Sequence, residues 1–380
     1  MNKFIFHIDI NAFFATVEEI LEPSYSTQPI AVCARANQFG IISCPNYLAR
    51  NYGVKSAMNK IEAKRLCPNL VFVLGHFDQY EKYSNQFFHF LKTHYGKKIQ
   101  IMSIDECYLD VTNRVKTINQ ALALAKEIQI EIFNHLKLKI NIGVSDNKFV
   151  AKMASNLHKP MGIVSCFGTD NFQKIFWPKP IKDFYFIGIK TTPLLHKLGI
   201  KTIGDFAQYP QPDNLQKIFL NQYETFMANA WGYGDDFVDA RHYGYKSISA
   251  SRTLDEATTN YEILKEYILK LLSSCYEKLE TTNNLIPHNI KMDFRFADET
   301  KQGFTLKNLT TKLDSFDKIV FYLFKLFEKE YRSDEPVKFI AIYFRTLKPN
   351  LPDHNLLNPH QDSRKEEQEK IKKIIFDILN

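Results

Sequence analysis

The chain has 380 residues, 45% of them hydrophobic and 24% charged, a composition that excludes disordered, fibrous and low-complexity proteins and allows two to four domains. Lysine and arginine number 49 against 42 aspartates and glutamates, an excess that permits a polyanionic partner without requiring one. The six scattered cysteines show no zinc-type spacing, which disfavours structural zinc and disulfides. Asp9 interrupts the N-terminal apolar run and no later run reaches the roughly 18 residues of a membrane span, so we expect a cytoplasmic protein without a membrane segment.

The N-terminal part predicts a buried strand, a helix and a small α/β subdomain. Residues 3–10 are β-branched and aromatic, which is typical of a buried strand, and Asp9 lies at its carboxyl end. A helix over 12–21 ends before Pro23, because the residue before a proline is pushed out of the helical conformation. Further predicted elements are strands at 29–33 and 40–44 and a short helix at 46–52.

The next part of the chain alternates strands with helices. Residues 99–102 and 107–111 predict a hairpin whose connection contains Asp105 and Glu106. A helix at 121–135, a strand at 139–144 and a helix at 148–157 follow. Such alternation is typical of a mixed sheet covered by helices.

Beyond residue 169 the composition changes. Short helices between 181 and 209, separated by glycines, predict a small helical domain. After a linker come a strand (246–252), a helix (261–280), two strands (288–297 and 300–307), a helix (315–331) and a strand (337–346). This βαββαβ order is the split βαβ pattern. The tail from Pro349 begins with turns and then becomes a charged segment, which we expect to be solvated and amphipathic.

Three carboxylates near strand ends are candidates for metal chemistry. Asp9 ends an apolar strand, where an ionised carboxylate needs a cationic partner, although a helix cap or a salt bridge is the simpler explanation of a lone aspartate. Asp105 and Glu106 lie in a hairpin connection, where acidic pairs are commonly solvated. On neighbouring strands of one sheet, however, the three would suit a pair of Mg²⁺ ions, because hard cations prefer oxygen ligands.

Three further side chains are candidates for binding phosphate. Tyr47 and Arg50 are three residues apart on a predicted helix and therefore share a face. Arginine offers a bidentate fork and tyrosine a hydroxyl donor. Lys159, just after the predicted helix at 148–157, would add a point charge. Taken one at a time, each is as well explained as a solvated polar residue.

The sequence resembles the Y-family DNA polymerases, and within them the DinB-like, polymerase IV type. The motifs that carry the resemblance are DINAFFATVE at 9–18, NYLARNYGVKSAM at 46–58, SIDECYLD at 103–110, GVSDNK at 143–148, AKMAS at 151–155 and Lys159-Pro160. They occur in order, the resemblance spans about residues 3–348, and the run around Asp105 is highly specific.

The resemblance implies an α+β multidomain fold, the right-hand polymerase architecture. Its parts would be a catalytic palm (1–10 and 75–168), small fingers (11–74), a helix-hairpin-helix thumb (169–234), a linker (235–244), a βαββαβ little-finger domain that binds DNA (245–348) and a C-terminal tail (349–380). The segmentation made from the residues falls into the same order.

The resemblance also implies a set of site residues. Those implied to bind the two catalytic Mg²⁺ ions are Asp9, Asp105, Glu106 and the carbonyl of Ile10. Those implied to bind the incoming nucleotide are Phe13, Phe14, Tyr47, Arg50 and Lys159. Phe14 would be the steric gate beneath the sugar.

A third group is expected to contact DNA: Gly188, Lys190, Gly199, Arg252, Arg295 and Arg345. The first three lie in a segment that resembles a helix-hairpin-helix, whose backbone N–H groups bind phosphate independently of sequence. Lys190 replaces the second glycine of the usual turn. The arginines lie on predicted strands of the split βαβ domain.

Two residues depart from the family pattern at the site. Asn11 stands where the DinB branch usually has Asp, and in this respect the chain is more similar to the polymerase V catalytic subunit. Cys44 stands where Ser or Thr often contacts phosphate, and a thiol is a poorer donor.

The tail has no good match to a clamp-binding peptide, and the nearest is Asn355-Leu356-Leu357. A sliding clamp is therefore an open question as a partner. The protein itself is expected to be a monomer.

The implied function is template-directed, error-prone DNA synthesis in translesion bypass. The 3′-hydroxyl of a primer-template DNA attacks the α-phosphate of a dNTP in line and pyrophosphate leaves. The four domains use nearly all the chain, so no proofreading exonuclease is expected. A palm-type nucleotidyl cyclase is one alternative, but it would not need the DNA-binding domains. A catalytically weak DNA-binding relative is a second, but it would lack carboxylates that are present here. A polymerase V-like branch of the same family remains a third.

Overall fold

The structure is a computed structural model that describes residues 3–34, 40–241, 245–282, 284–307, 311–331 and 334–350. The chain divides into two compact units, Met1–Arg241 and His242–Asn380. Within the described ranges, no helix has both the length and the hydropathy needed to cross a bilayer. The predicted tail segment and Asn355-Leu356-Leu357 lie outside the described residues.

A five-stranded sheet forms the centre of the first unit. Its strands, in chain order, are β1 (Ile5–Ile10), β5 (Ile99–Ile101), β6 (Glu106–Asp110), β7 (Ile140–Ser145) and β8 (Ile163–Ser165). Their spatial order is β5-β6-β1-β7-β8, and β1 is antiparallel to both of its neighbours. The predicted strand, hairpin and third strand are thus confirmed, and Glu106 begins β6 instead of lying in the connection.

Helices cover both faces of this sheet. They are α1 (Phe13–Leu21), α4 (Phe77–His94), α5 (Ile118–Leu136) and α6 (Lys148–Ser155). On β1, Phe6 and Ile8 belong to the core that α4 and α5 complete, whereas His7, between them, bonds to Ser155 of α6. Successive residues of a strand point to opposite faces, so Asp9 lies on the same face as His7, the α6 face.

A smaller sheet lies in the segment that follows α1. It contains β2 (Ile30–Cys33), β3 (Ile42–Pro45) and β4 (Val71–Leu74) in the order β3-β2-β4, with α2 (Tyr47–Asn51) and α3 (Lys60–Leu66) alongside. The expected small α/β subdomain is confirmed, although the sequence analysis placed no element at β4, α3 or α4.

The rest of the first unit is helical. It contains α7 (Thr169–Phe176), α8 (Thr192–Lys197), α9 (Ile203–Ala207), α10 (Pro212–Phe219) and α11 (Tyr223–Ala230) around a phenylalanine-rich core. The first helix of the predicted hairpin is a single 3₁₀ turn, Ile181–Asp183, and α8 is the second.

The second unit has the predicted βαββαβ order. Its elements are β9 (Ser247–Thr258), α12 (Tyr261–Glu280), β10 (Leu285–Phe296), β11 (Lys301–Leu306), α13 (Phe316–Glu330) and β12 (Val337–Pro349). The sheet order is β11-β10-β12-β9 with every neighbouring pair antiparallel. Hence β12 separates the parallel pair β9 and β10, and β10 separates the parallel pair β11 and β12, which confirms the split βαβ pattern.

Gly143 on β7 allows α6 to pack closely on the central sheet. A Cβ at this position would lie 1.9 Å from the Ala151 carbonyl oxygen and 2.5 Å from the Ser155 nitrogen. Because backbone cannot yield as a side chain does, we expect Gly143→Ala to lower the free energy of unfolding by about 3 kcal/mol, the upper end of the range for overpacked cores. Urea denaturation followed by circular dichroism measures the change.

Gly188→Ala is the matched control, since a Cβ at Gly188 meets nothing within 4 Å. Equal stabilities of the two variants would contradict the prediction.

Candidate active site

The three predicted carboxylates come together at the end of β1. Asp9 lies directly opposite Glu106 on β6 and opposite Asn141 on β7. Asp105 precedes β6, and its carbonyl accepts a hydrogen bond from the Ile10 N–H at 3.0 Å. The antiparallel register therefore gathers, at one end of the central strands, the acidic side chains that the sequence singled out.

Two lysines contact these carboxylates. The Lys159 ammonium lies 2.5 Å from Asp9 Oδ2, and Lys152 forms an ion pair with Glu106 Oε2. The sequence analysis assigned Lys159 to phosphate and gave Lys152 no role. Lys152 lies within α6 and is 9% exposed. Unpaired lysines are almost never buried. A lysine on the buried face of a short apolar helix was therefore the signal that could have identified this residue.

Glu106 is held in its ionised form. Burial opposes ionisation, but the neighbouring His7 ring and the Lys152 ammonium outweigh it and lower the pKa of Glu106 to about 2. The His7 ring is fully buried, and burial lowers the pKa of His7. Its Nε2 lies 3.5 Å from Glu106 Oε2 and its Nδ1 2.8 Å from Ser155 Oγ. His7 is a second residue at the site to which the sequence analysis gave no role.

Asp105 behaves in the opposite way. Burial raises the pKa of Asp105, and repulsion from Asp9 and Glu106 adds to the rise, while a hydrogen bond from the Ser103 hydroxyl partly offsets it. Two neighbouring carboxylates thus differ in pKa because Glu106 is paired with a lysine, whereas Asp105 is buried among like charges without one.

The donor set is suited to a divalent cation. Carboxylate and carbonyl oxygens are the ligands that Mg²⁺ prefers, and a cation would relieve the repulsion that raises the pKa of Asp105. Among the residues that the structure describes, no three His, Cys, Asp or Glu side chains already surround one ion position. Lys152 pairs with Glu106 and Lys159 pairs with Asp9, each through one carboxylate oxygen.

Tyr47 and Arg50 lie together on α2, as predicted. The Asn46 side chain caps the N-terminus of the helix, the Arg50 guanidinium lies 5.2 Å from the Tyr47 ring centroid, and Arg50 Nε donates to the Pro45 carbonyl at 3.0 Å. Burial raises the pKa of Tyr47, and the charge of Asp9 adds to the rise. The tyrosine therefore keeps its proton as a donor, on the same side of the unit as Asp9.

The Phe14 ring packs against other aromatic side chains. Its ring is partly exposed and stacks on Tyr80 with ring centroids 4.4 Å apart at 13°, and it meets Phe77 edge-on at 5.7 Å. Tyr80 is fully buried, and its hydroxyl donates to the buried carboxylate of Glu18. Phe13 is buried beside Phe14. One face of the Phe14 ring is thus fixed from below.

The two departures from the family pattern are both buried. Burial raises the pKa of the Cys44 thiol, whose Sγ lies 3.9 Å from the Pro45 carbonyl oxygen. Asn11 is 1% exposed and donates from Nδ2 to Asn141 Oδ1 at 2.8 Å. Asn11 is therefore part of a polar network next to the carboxylates.

The predicted helix-hairpin-helix residues of the first unit are exposed. Gly188 and Lys190 lie in the loop before α8, and Ile189 between them is 90% exposed. Gly199 follows α8 with φ +80°, the left-handed conformation that ends helices. The loop thus presents backbone and one lysine to solvent.

The three predicted arginines of the second unit do not share a face. Arg295 lies opposite Phe339, with its guanidinium 5.3 Å from that ring centroid, and Arg345 lies on the same face of the sheet, 5.1 Å from the Tyr343 ring centroid. Arg252 lies opposite Ile340, which is buried beneath the helices. By strand alternation Arg252 projects on the helix-covered side, so it is separated from the other two.

Comparisons with known proteins agree with this fold. The model of the impB/mucB/samB family matches residues 8–156, and that of its C-terminal domain matches 245–355. The DNA polymerase IV of Ureaplasma parvum serovar 3 is 35% identical over 91% of this chain and 94% of its own length. The DNA polymerase IV of Listeria monocytogenes serotype 4a is 30% identical over 91% of this chain and 95% of its own.

Solved structures agree as well. A Y-family DNA polymerase chimera of Dbh and Dpo4 superposes with a TM-score of 0.78 at 27% identity, covering 91% of this chain and all of the chimera. An insertion ternary complex of Dbh DNA polymerase gives a TM-score of 0.62 at 26% identity, with the same coverage.

The chain therefore belongs to the Y-family DNA polymerases. Within that family it is DinB-like, and it is a DNA-directed DNA polymerase similar to the bacterial DNA polymerases IV. The right-hand α+β fold expected from the resemblance is confirmed. Dependence on divalent metal follows from the family in general terms.

The lowered pKa of Glu106 predicts a pH-dependent stability in metal-free protein. Because its pKa is lower in the folded chain, ionised Glu106 stabilises the fold fully above about pH 5, and this contribution is lost as the pH falls towards 2. A shift from 4.5 to about 2 sets an upper limit of about 3 kcal/mol. Denaturant unfolding of wild type and Glu106→Gln in EDTA should show a stability gap at pH 7 that closes at low pH.

Glu81→Gln removes an exposed carboxylate and should show no comparable gap. A gap for Glu106→Gln that is the same at pH 3 and pH 7 would count against the ionised, lysine-paired state.

Proposed function

We propose that this polymerase carries out error-prone translesion synthesis by two-metal nucleotidyl transfer at the end of β1. The observation that carries the proposal is the convergence of Asp9, Asp105 and Glu106 at one end of two adjacent strands, β1 and β6, with Lys159 against Asp9. Carboxylates that repel one another at one point, with lysines against two of them, are typical of a functional site.

Asp9, Asp105, Glu106 and the Ile10 carbonyl would hold the metal ions, two Mg²⁺ in this proposal, which when bound lower the pKa of the primer hydroxyl and neutralise the triphosphate. The ionised Glu106 needs no deprotonation before it binds a cation. A bound cation would screen the repulsion from Asp9 and Glu106 that adds to the raised pKa of Asp105.

The triphosphate would be bound by Lys159, Tyr47 and Arg50. Arg50 provides a planar fork and Tyr47 a protonated hydroxyl on the same helix face. Lys159 already contacts a carboxylate and would exchange that partner for a phosphate oxygen. Since the Cys44 thiol is a weak donor, these three side chains carry the phosphate contacts.

The domain assignment and the partners belong to the same proposal. Residues 1–10 and 75–168 would be the palm, 11–74 the fingers, 169–234 the thumb and 245–348 the little finger, with the linker at 235–244 spanning the boundary between the two compact units. The partners would be primer-template DNA and dNTPs. Ternary complexes are described for the Dbh neighbours, which supports this choice. The protein would act as a monomer, without a proofreading exonuclease.

Contacts to DNA would come from backbone and side chains at Gly188, Lys190 and Gly199 and from the open sheet face that carries Arg295 and Arg345. Such phosphate contacts fix the position of a duplex without reading its sequence. Arg252, on the other face, would not contribute to the same surface.

Primer extension with Mg²⁺ tests the proposal through Asp105→Asn. The substitution keeps the shape of the side chain but removes its charge, so extension should fall by about 1,000-fold or more, as for groups that stabilise charge in the transition state. Binding of primer-template DNA, measured by fluorescence anisotropy, should change by no more than a few-fold.

Asp110→Asn is the control, because Asp110 lies at the other end of β6, the strand that Asp105 precedes, and pairs with Lys98 away from the cluster. Near wild-type extension by Asp105→Asn would refute the metal-site assignment.

The partly exposed Phe14 ring predicts selection against ribonucleotides. Tyr80 supports the ring from below, so an added 2′-hydroxyl would overlap a side chain that cannot retreat. If the overlap costs about 1–3 kcal/mol, Phe14→Ala should raise the ratio of rNTP to dNTP incorporation by about 5- to 150-fold. Steady-state kcat/KM for both nucleotides gives the ratio.

Phe90→Ala removes another partly buried ring of the same core and serves as the control for stability loss. If Phe14→Ala lowers Tm and both activities together while the ratio stays constant, Phe14 is ordinary core and no gate.

A further inference from the structure

The loop that carries Lys159 is held by three buried amide side chains. They are Asn11, which follows β1, Gln129 on α5 and Asn141 on β7, and each is 1% exposed. Buried amides are costly unless their donors and acceptors are paired. Their common target is the segment from His158 to Gly162.

Asn11 makes one contact through each end of its amide. Its Oδ1 accepts a hydrogen bond from the Met161 N–H at 2.8 Å, and its Nδ2 donates to Asn141 Oδ1, also at 2.8 Å. Its backbone N–H donates to the Lys139 carbonyl at 2.8 Å, so both backbone and side chain of Asn11 are fixed.

Asn141 and Gln129 hold the rest of the segment. Asn141 Nδ2 donates to the carbonyls of Ser155 at 2.9 Å and His158 at 3.2 Å, and its Oδ1 also accepts from the Gly162 N–H at 3.2 Å. Gln129 Nε2 donates to the Met161 carbonyl at 2.9 Å. Both peptide groups that flank the Met161 side chain are therefore bonded to buried amides.

The backbone of Met161 needs this support. Its φ is +63°, a left-handed conformation that is uncommon for a residue with a side chain and persists where the surroundings determine it. The following residue is Gly162, at which a Cβ would lie 1.9 Å from the His158 carbonyl oxygen. The loop is thus a tight turn whose shape depends on its buried partners.

From these contacts we infer that Asn11 is a positioning residue for Lys159, acting through the Met161 peptide. The inference rests on the proposed role of Lys159 in binding the triphosphate. The Lys159 ammonium contacts Asp9 in this structure and would contact a phosphate in a nucleotide complex. A fixed backbone keeps the ammonium within the small region that contains both partners. A loosened turn would spread the ammonium over many positions.

The identity of Asn11 follows from the same contacts. An amide both accepts from Met161 and donates to Asn141 Oδ1, whereas an ionised carboxylate accepts only. With Asp at position 11, two oxygens would face each other at the Asn141 contact. This departure from the DinB pattern is therefore matched to Asn141 in this chain.

A double-mutant cycle tests the inference. Single-turnover incorporation of one dNTP gives the nucleotide Kd and the rate of incorporation for wild type, Asn11→Ala, Lys159→Ala and the double variant. We expect Asn11→Ala and Lys159→Ala each to raise the nucleotide Kd by about tenfold, and Asn11→Ala to have no further effect on Kd when Lys159 is already alanine, because residues that act through one contact are not additive.

Further variants separate positioning from folding. Asn11→Asp keeps the volume of the side chain. It should raise the nucleotide Kd when Lys159 is present and have no effect on Kd in the Lys159→Ala variant. It therefore replaces Asn11→Ala if that variant does not fold. Thr117→Ala removes the N-cap of α5; it should lower Tm without changing the nucleotide Kd.

The outcomes distinguish the inference from the proposed function. If Lys159→Ala leaves the nucleotide Kd unchanged, the proposed phosphate role of Lys159 is wrong. If Lys159→Ala raises Kd but Asn11→Ala raises it by the same factor in both backgrounds, the inference alone is overturned.

Discussion

Two carboxylates in a directly opposed cross-strand pair are the constraint on which the first unit depends. Asp9 and Glu106 face each other across β1 and β6, an arrangement of like charges that destabilises a sheet. Both are largely buried, so water does little to screen them. The pair is tolerated because each carboxylate has its own lysine, Lys159 for Asp9 and Lys152 for Glu106.

Those two lysines determine what surrounds the sheet. Lys152 must come from a helix that packs closely on β1 and β7, and Gly143 allows that approach. Lys159 must come from a turn at the far end of the same helix, and that turn is held by buried amides. The packing of α6, the absence of a side chain at residue 143 and the polar network around Asn141 together place these two lysines at the carboxylates.

The sequence was sufficient for much of the fold and for the carboxylates. Alternation of strand and helix patterns located β1, the β5–β6 hairpin and the βαββαβ order, because these elements are long or bounded by clear turn residues. The strand at 71–74 could not be predicted, since four apolar residues fit a strand or a buried helix equally well.

Contacts between distant residues could not be predicted from the sequence. Lys152 and Glu106 are 46 positions apart, and Asn11 and Met161 are 150 apart, so local patterns carry no information about either pair. The side on which Arg252 projects depends on the register of β9 against β12, where the pairing shifts between Val337 and Phe339. A shift of one residue reverses which face a side chain occupies.

The same rule gives the β5–β6 connection a fixed length. Shortening it by one residue, with the hydrogen-bond ladder kept, would put Cys107 in place of Glu106 opposite Asp9, and lengthening it would put Asp105 there. In either case the side chains of β6 would exchange one face of the sheet for the other. The segment from Thr112 to Thr117, at the other end of β6, has no such coupling to the carboxylates. Among relatives, the length of the chain should therefore vary after β6 and stay constant before it. The length of the β5–β6 connection is constrained by the chemistry of the carboxylates, since it decides which residue lies opposite Asp9.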